Sequence, residues 1–195
     1  LDFRYSAKIA KSDLEKILRA NRGIPLFNER WKILREIGAV MTSKYKGTLD
    51  ELFLEADGDA QALLEIITTN FPSFYDASLY KGKTIYFHKR AQLLVSDLSQ
   101  MGSRSWKNID QLTACADYKL PQILRKFGIF EYVPELVEKI DNKIEISHDS
   151  EEEIEIRAAT IWAIEFIKEE VKKRNFSITS MGINDHLWLA TQEKF

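Results

Sequence analysis

Cysteine is nearly absent from this chain: Cys115 is the single one in 195 residues. An intramolecular disulfide and a multi-cysteine metal site are therefore excluded, and the composition suits a reducing compartment. Proline and glycine are also sparse, with four and eight residues, so few positions force the backbone out of a helix. No apolar run approaches the roughly 20 residues needed to cross a bilayer. No signal-peptide pattern opens the sequence either, and a cytoplasmic protein without a membrane partner is expected. An excess of charge of one sign is missing too. Lys and Arg number 28 against 30 Asp and Glu, a formal net charge of −2. Such a balance exerts no global pull toward a nucleic-acid backbone, and a nucleic-acid partner is not expected.

Missing motifs narrow the chemistry further. There is no glycine-rich phosphate loop, neither GxGxxG nor GxxxxGK[ST]. His88, His148 and His186 stand far apart and form no HxH or HxxxH pair. No G-x-S-x-G elbow occurs. No metal or cofactor is expected, and serine-nucleophile hydrolysis fits poorly. What remains is acid–base chemistry by carboxylates, assisted by Lys or Arg and framed by aromatics.

What is present is helical periodicity over most of the length. With 45% apolar residues, the chain is expected to form one compact, mostly helical domain over residues 1–195. Ser12 and Glu15 have the spacing of a capping box for a helix ending near Gly23-Ile24-Pro25. A second helix is expected over Leu26–Lys44, with Trp31, Leu34, Ile37, Gly38 and Met41 inward. Thr48 caps a third, and the Asp57-Gly58-Asp59 turn leads to a fourth that ends before Phe71. The aromatic stretch 71–87 holds a short extended piece at 84–87. Its rings either pack on the core or form a stacking wall for a planar ligand.

Two polar clusters interrupt apolar helical patterns: Lys89-Arg90-Ala91-Gln92 and Asp117-Tyr118-Lys119. Phe87, Ala91, Leu94, Val95 and Leu98 make one stripe, while Leu93 and Lys89 lie off it. A helix buried on two sides is implied, with Lys89 facing a cavity. Asp110 is expected to cap a helix through Ala116, which places Asp117 near a helix C-terminus, before the helix that Pro121 starts and Gly128 closes. The longest helix is expected from about Ser150 to Lys173. Its middle is apolar nearly all round, so its two charges, Arg157 and Glu165, require partners or a ligand.

Many of these stretches occur together in one family. Leu34-Arg35-Glu36-Ile37-Gly38, Tyr45-Lys46-Gly47-Thr48, Phe71-Pro72-Ser73-Phe74-Tyr75-Asp76, Phe87 to Leu98, Leu112 to Gln122, Glu153 to Ala158 and Leu187-Trp188 follow in one order. In this the chain resembles the queuosine salvage family, which releases queuine from queuosine 5′-phosphate for reuse in tRNA modification. The resemblance implies an all-α fold similar to helical DNA glycosylases, and hydrolysis of an N-glycosidic bond in a small-molecule substrate without metal or cofactor. It points to Asp117 and Asp185 as catalytic carboxylates. It also points to Lys89, Tyr118, Phe74, Asp76, Arg157, Asn184 and Trp188 as substrate-binding residues. Lys89 would bind the phosphate or hold Asp117.

The chain departs from the family in two places. It lacks a further N-terminal segment with an Asp-Ala-Leu-Asn-Phe-like motif, so a longer form or a partner chain supplying it is expected, in keeping with a start at Leu1. The family ending Asp-x-x-Leu-Trp has Asn184 in its first slot here, with Asp185 next. The alternatives are a non-catalytic nucleotide- or base-binding protein of the same fold, and a DNA-base glycosylase.

Overall fold

The computed structural model describes residues 2–19, 23–101 and 105–192. Leu1, the unusual first residue, lies outside them. The fold is mostly helical, with one two-stranded sheet among the described residues. Two compact units divide the chain, Leu1–Tyr75 and Asp76–Phe195. No helix among the described residues is long and apolar enough to cross a membrane.

The first unit contains α1 (Phe3–Ser6), α2 (Lys11–Leu18), α3 (Phe27–Lys44), α4 (Leu49–Ala56), α5 (Ala60–Asn70) and a 3-10 turn at Pro72–Phe74. Asp2 caps α1 by accepting from the amides of Arg4 and Tyr5. Helix α1 lies so close to α3 that only glycine fits at position 38. A Cβ there would stand 2.3 Å from the Ala7 nitrogen and 2.7 Å from the Phe3 carbonyl oxygen. The Trp31 indole then ties the following segment down by donating to the Ile9 carbonyl at 2.8 Å.

Helix α2 differs from expectation at both ends. It begins at Lys11, one residue before Ser12, so Ser12 is already helical and no side chain caps the N-terminus. It stops at Leu18, where Arg19 turns left-handed, well short of Gly23. Helix α3 starts one residue later than expected, after a left-handed Leu26, and the remaining caps of this unit hold. Thr48 accepts from the Glu51 amide, and Asp59 accepts from Gln61 and Ala62 at the start of α5. Tyr45 is buried and stacks on Phe71, which meets Phe74 edge-on.

The second unit opens with a hairpin of β1 (Ala77–Tyr80) and β2 (Lys83–Tyr86). Lys81 and Gly82 both have positive φ, 48° and 80°, as a two-residue I′ turn demands. The extended piece expected at 84–87 is thus β2, displaced by one residue and paired with β1. Then come α6 (Lys89–Gln100), a 3-10 turn at Ile109–Gln111, α7 (Lys119–Lys126), α8 (Pro134–Asp141), α9 (Glu151–Lys173) and α10 (Ser180–Ala190). Helix α9 packs against α7, α10 and β1. Ile164 joins Ala114, Leu120 and Ile183 in one core cluster, and Ile154 joins Phe87 and Ala116 in another.

Three expectations change here. Leu93 is 40% exposed, so α6 is buried along its main stripe and not on two sides. Trp162 and Phe166 are 62% and 65% exposed, so α9 is covered on one side only. No helix forms from Asp110 to Ala116; after the 3-10 turn, residues 112–117 run without helical structure. Side chains from α6 and α10 occupy the peptide groups that a helix would have paired internally. The ends of α7 and α9 agree with the sequence reading to within two residues. Gly128, at φ 71°, follows α7 while Ile129 donates back to Leu124, and Ser150 caps α9 through the Glu153 amide.

Candidate active site

The organising element is the irregular segment 112–117, in which Leu112, Ala114, Cys115 and Ala116 are all buried. Buried peptide groups need partners, and two side chains supply them. Gln92 of α6 accepts from the Thr113 amide at 2.7 Å through Oε1. Its Nε2 donates to Thr113 Oγ1 at 2.6 Å and to the Phe87 carbonyl at 3.1 Å. Asn184 of α10 accepts from the Cys115 amide at 3.0 Å through Oδ1. The Asp117 amide donates to the Cys115 carbonyl in a tight turn of 2.7 Å.

This turn delivers Asp117 to the start of α7. Its Oδ1 accepts from the amides of Lys119 at 2.8 Å and Leu120 at 3.1 Å. The carboxylate therefore meets N–H groups at the beginning of a helix. The sequence reading, which placed it near the end of one, is corrected on this point. The same carboxylate lies on the wall of a cavity of about 420 Å³, with Tyr118, Gln122, Arg125, Tyr132 and Arg157 around it. Tyr118 is 69% exposed at this wall, and Lys119 stands over its ring. A volume of this size lies within the range of small-molecule sites.

Lys89 and Asp185 are not among the residues lining that cavity. Their charges, like that of Asp117, act on the Cys115 thiol. The Cys115 thiol is pushed up to about 12, first by burial and further by the Asp117, Asp185 and Asp97 carboxylates, while the Lys89 ammonium acts against the shift. Lys89 is half-buried, and its carbonyl accepts from the Cys115 thiol at 3.4 Å. One amide links the two carboxylate-bearing elements: Asn184 Nδ2 donates to Asp185 Oδ1 at 3.0 Å. Trp188 lies one turn beyond Asp185 on α10 and is part-exposed.

Two of the expected binding residues are engaged with each other. Arg157 Nη2 lies 2.5 Å from Asp76 Oδ2, and its guanidinium covers the Phe87 ring at 3.9 Å. Glu153 is a second partner of Arg157, at 3.5 Å. Asp76 also accepts from the Lys89 amide at 3.0 Å, which joins the hairpin to α6 and α9. Burial works to raise the Asp76 carboxyl, but the Arg157 and Lys89 hydrogen bonds prevail and hold it below its ordinary value. Burial lowers His88, against the opposing pull of Asp76. Glu165, the other charge in the middle of α9, accepts from buried Ser180 and pairs with Lys168.

Phe74 packs in the core of the first unit. Of the other loop aromatics, Phe71 and Phe87 are buried while Tyr75 and Tyr86 are exposed. Among the described residues, His148, Asp149 and Glu153 bring potential metal-ligand atoms within 4.8 Å of one another. Asp149 already accepts from Ser78, and Glu153 from the Asp149 amide.

The sequence reading missed Gln122, Arg125 and Tyr132 as cavity residues. Gln122 and Arg125 follow Tyr118, the residue before α7, at helical spacing, a signal that could have found them. Tyr132 comes from a loop with no periodic signal. Arg125 is held by Asp141 in a two-pronged pair of 2.7 and 3.2 Å.

The chain is similar to proteins named queuosine 5′-phosphate N-glycosylase/hydrolase in several organisms. The one from Sphaerobacter thermophilus is 39% identical over 193 residues, covering 96% of this chain and 59% of the relative. The one from Dictyostelium discoideum is 38% identical over 171 residues, covering 86% and 53%. The Bos taurus protein is 33% identical over 198 residues, covering 94% and 58%. The chain thus spans between half and three-fifths of the length of these relatives. A family model described as queuosine salvage protein matches residues 1–195. With that match spanning the whole chain, including the segment that carries Asp117 and the helix that carries Asp185, the chain belongs to the queuosine salvage protein family.

Proposed function

We propose that the protein hydrolyses the N-glycosidic bond of queuosine 5′-phosphate and releases queuine. The observation that carries this reading is the placement of Asp117. It is held by two helix-start amides on the wall of a cavity with aromatic and cationic walls, and its charge acts on the Cys115 thiol along with those of Lys89 and Asp185. A cytoplasmic setting goes with this reading, as does the single cysteine.

The chemistry asks for few groups. As the bond from C1′ to the base nitrogen lengthens, its electron pair leaves with the base and C1′ gains positive charge. A fixed carboxylate beside C1′ stabilises that charge. A water adds to C1′ and gives up a proton to a carboxylate acting as base, and the carboxylic acid so formed returns a proton to the departing base nitrogen. Asp117 and Asp185 fill these roles. Tyr118 packs against the planar base, and Lys89 holds the phosphate or Asp117. Arg157, Asp76 and Asn184 support the site through their neighbours, and Trp188 extends its α10 side.

The test is incubation with queuosine 5′-phosphate and chromatography of the free base. Queuine release is expected, and kcat should fall by about 100-fold or more in Asp117→Asn and in Asp185→Asn, the scale of losing a general acid or base. No queuine above the blank from the parent protein would overturn the reading.

A further inference from the structure

We infer that Asn184 is a positioning residue whose side-chain amide couples the two carboxylates, fixing the Asp117 segment with its oxygen and Asp185 with its nitrogen. The inference deepens the hydrolase reading and rests on it for what the two carboxylates do.

The argument begins with the donor inventory. The Cys115 peptide nitrogen only donates, so the Asn184 atom facing it at 3.0 Å must be the oxygen. That contact settles the orientation of the amide, which otherwise has two equivalent placements. The NH2 group is left 3.0 Å from Asp185 Oδ1, where it donates to a carboxylate. Asn184 is only 5% exposed, so neither bond is readily replaced by water. Asn184 and Asp185 are neighbours on α10, and Cys115 precedes Asp117 by two residues on a segment with no helical bonds of its own. One planar group therefore sets the distance between two elements that bear carboxylates.

The family ending carries aspartate in this slot, but with Asp185 as its neighbour the chemistry of position 184 is narrow in this chain. An aspartate there keeps the acceptor for Cys115 but presents an oxygen, not an N–H, to Asp185. It also adds a carboxylate where Asp97, Asp117 and Asp185 already act on the Cys115 thiol against Lys89. Alanine removes both bonds. Asparagine is the short side chain that supplies one acceptor and one donor in the required directions.

This separates positioning from simple support. If Asn184 only anchored the buried segment, Asn184→Asp would serve equally well. If it also sets Asp185, that substitution should preserve the fold and impair the reaction. Parent, Asn184→Asp and Asn184→Ala are compared by melting, by exchange of the Cys115 amide proton, and by steady-state hydrolysis of queuosine 5′-phosphate. Asn184→Asp should keep the Cys115 amide protected and KM within about twofold, yet lose kcat by about tenfold or more, the scale of a disturbed general acid or base. Asn184→Ala should lose the amide protection as well. A kcat for Asn184→Asp equal to the parent's would overturn the proposal.

A readout without substrate keeps the two readings apart. The Asn184 side-chain amide protons should exchange about tenfold faster in Asp185→Ala than in the parent if the hydrogen bond holds them. Exchange that does not change overturns the coupling even if the parent releases queuine. Faster exchange in Asp185→Ala, with no queuine from the parent, upholds the coupling and rejects only the substrate.

Discussion

Gln92 shows how one polar residue in an apolar stripe determines what its neighbours can do. It sits among Ala91, Val95 and Leu98, is buried with them, and uses both ends of its amide on residues 87 and 113. Gln92→Leu keeps the volume but leaves the Thr113 amide and the Phe87 carbonyl without that partner. Each unsatisfied buried group costs about 1–3 kcal/mol. The denaturation midpoint of Gln92→Leu should drop accordingly, and a midpoint equal to the parent's would mean that water replaces Gln92. That this position needed a polar partner was legible in the sequence, because glutamine has no place in a core without one. The partner itself, 21 residues away on a segment expected to be helical, was not.

Elements meet where backbone approaches backbone. The contact of α1 with α3 depends on Gly38, since any Cβ there meets peptide atoms of Phe3 and Ala7 and no flexible side chain can give way. Gly38→Ala should destabilise the fold by about 1–3 kcal/mol, the usual cost of overpacking, despite the higher helix propensity of alanine. A lower melting temperature is the expected readout. An unchanged or higher one would show that α1 detaches from α3 without cost. The periodicity placed Gly38 on the inner face of α3 and could not say that α1 lay against it, because α1 is a four-residue helix with no period of its own.

At the scale of the whole molecule, pH acts on the fold through Asp76 and His88. Both are held below their ordinary values in the folded chain, so the unfolded chain binds more protons as pH falls. His88 contributes fully above its ordinary value of 6.5, and its share is lost as pH drops through its lowered folded value. Asp76 contributes fully above its ordinary 3.8, and its share disappears below that, through its own lowered value. Stability should therefore decline in two stages from neutral pH toward acid. Arg157→Met should cost about 3–5 kcal/mol, as expected when one partner of a largely buried ion pair is removed, and should shrink the lower stage, to which Asp141 and Glu170, also held below their ordinary values, still contribute. Denaturant midpoints measured from neutral to acid pH would show both, and a lower stage of the parent's full size in the variant would separate Asp76 from Arg157.

The sequence by itself determined the helical class and the family, along with the bounds of α3, α5 and α9. These follow from local periodicity, caps and ordered motifs, which are read within a window of neighbouring residues. It also marked Lys89 and Asp117 as polar groups set in apolar patterns, and the family resemblance pointed to Asp185. The tertiary structure decided what surrounds them. Residues 110–116 carry apolar residues behind a capping aspartate, which locally read as a helix. Gln92 and Asn184, distant in the chain, take up those peptide groups instead and turn Asp117 to the start of α7. Arg157 and Asp76, 81 residues apart, pair only because the hairpin lies against α9. Hydrogen bonds over such separations depend on which elements pack together, and no local pattern records that.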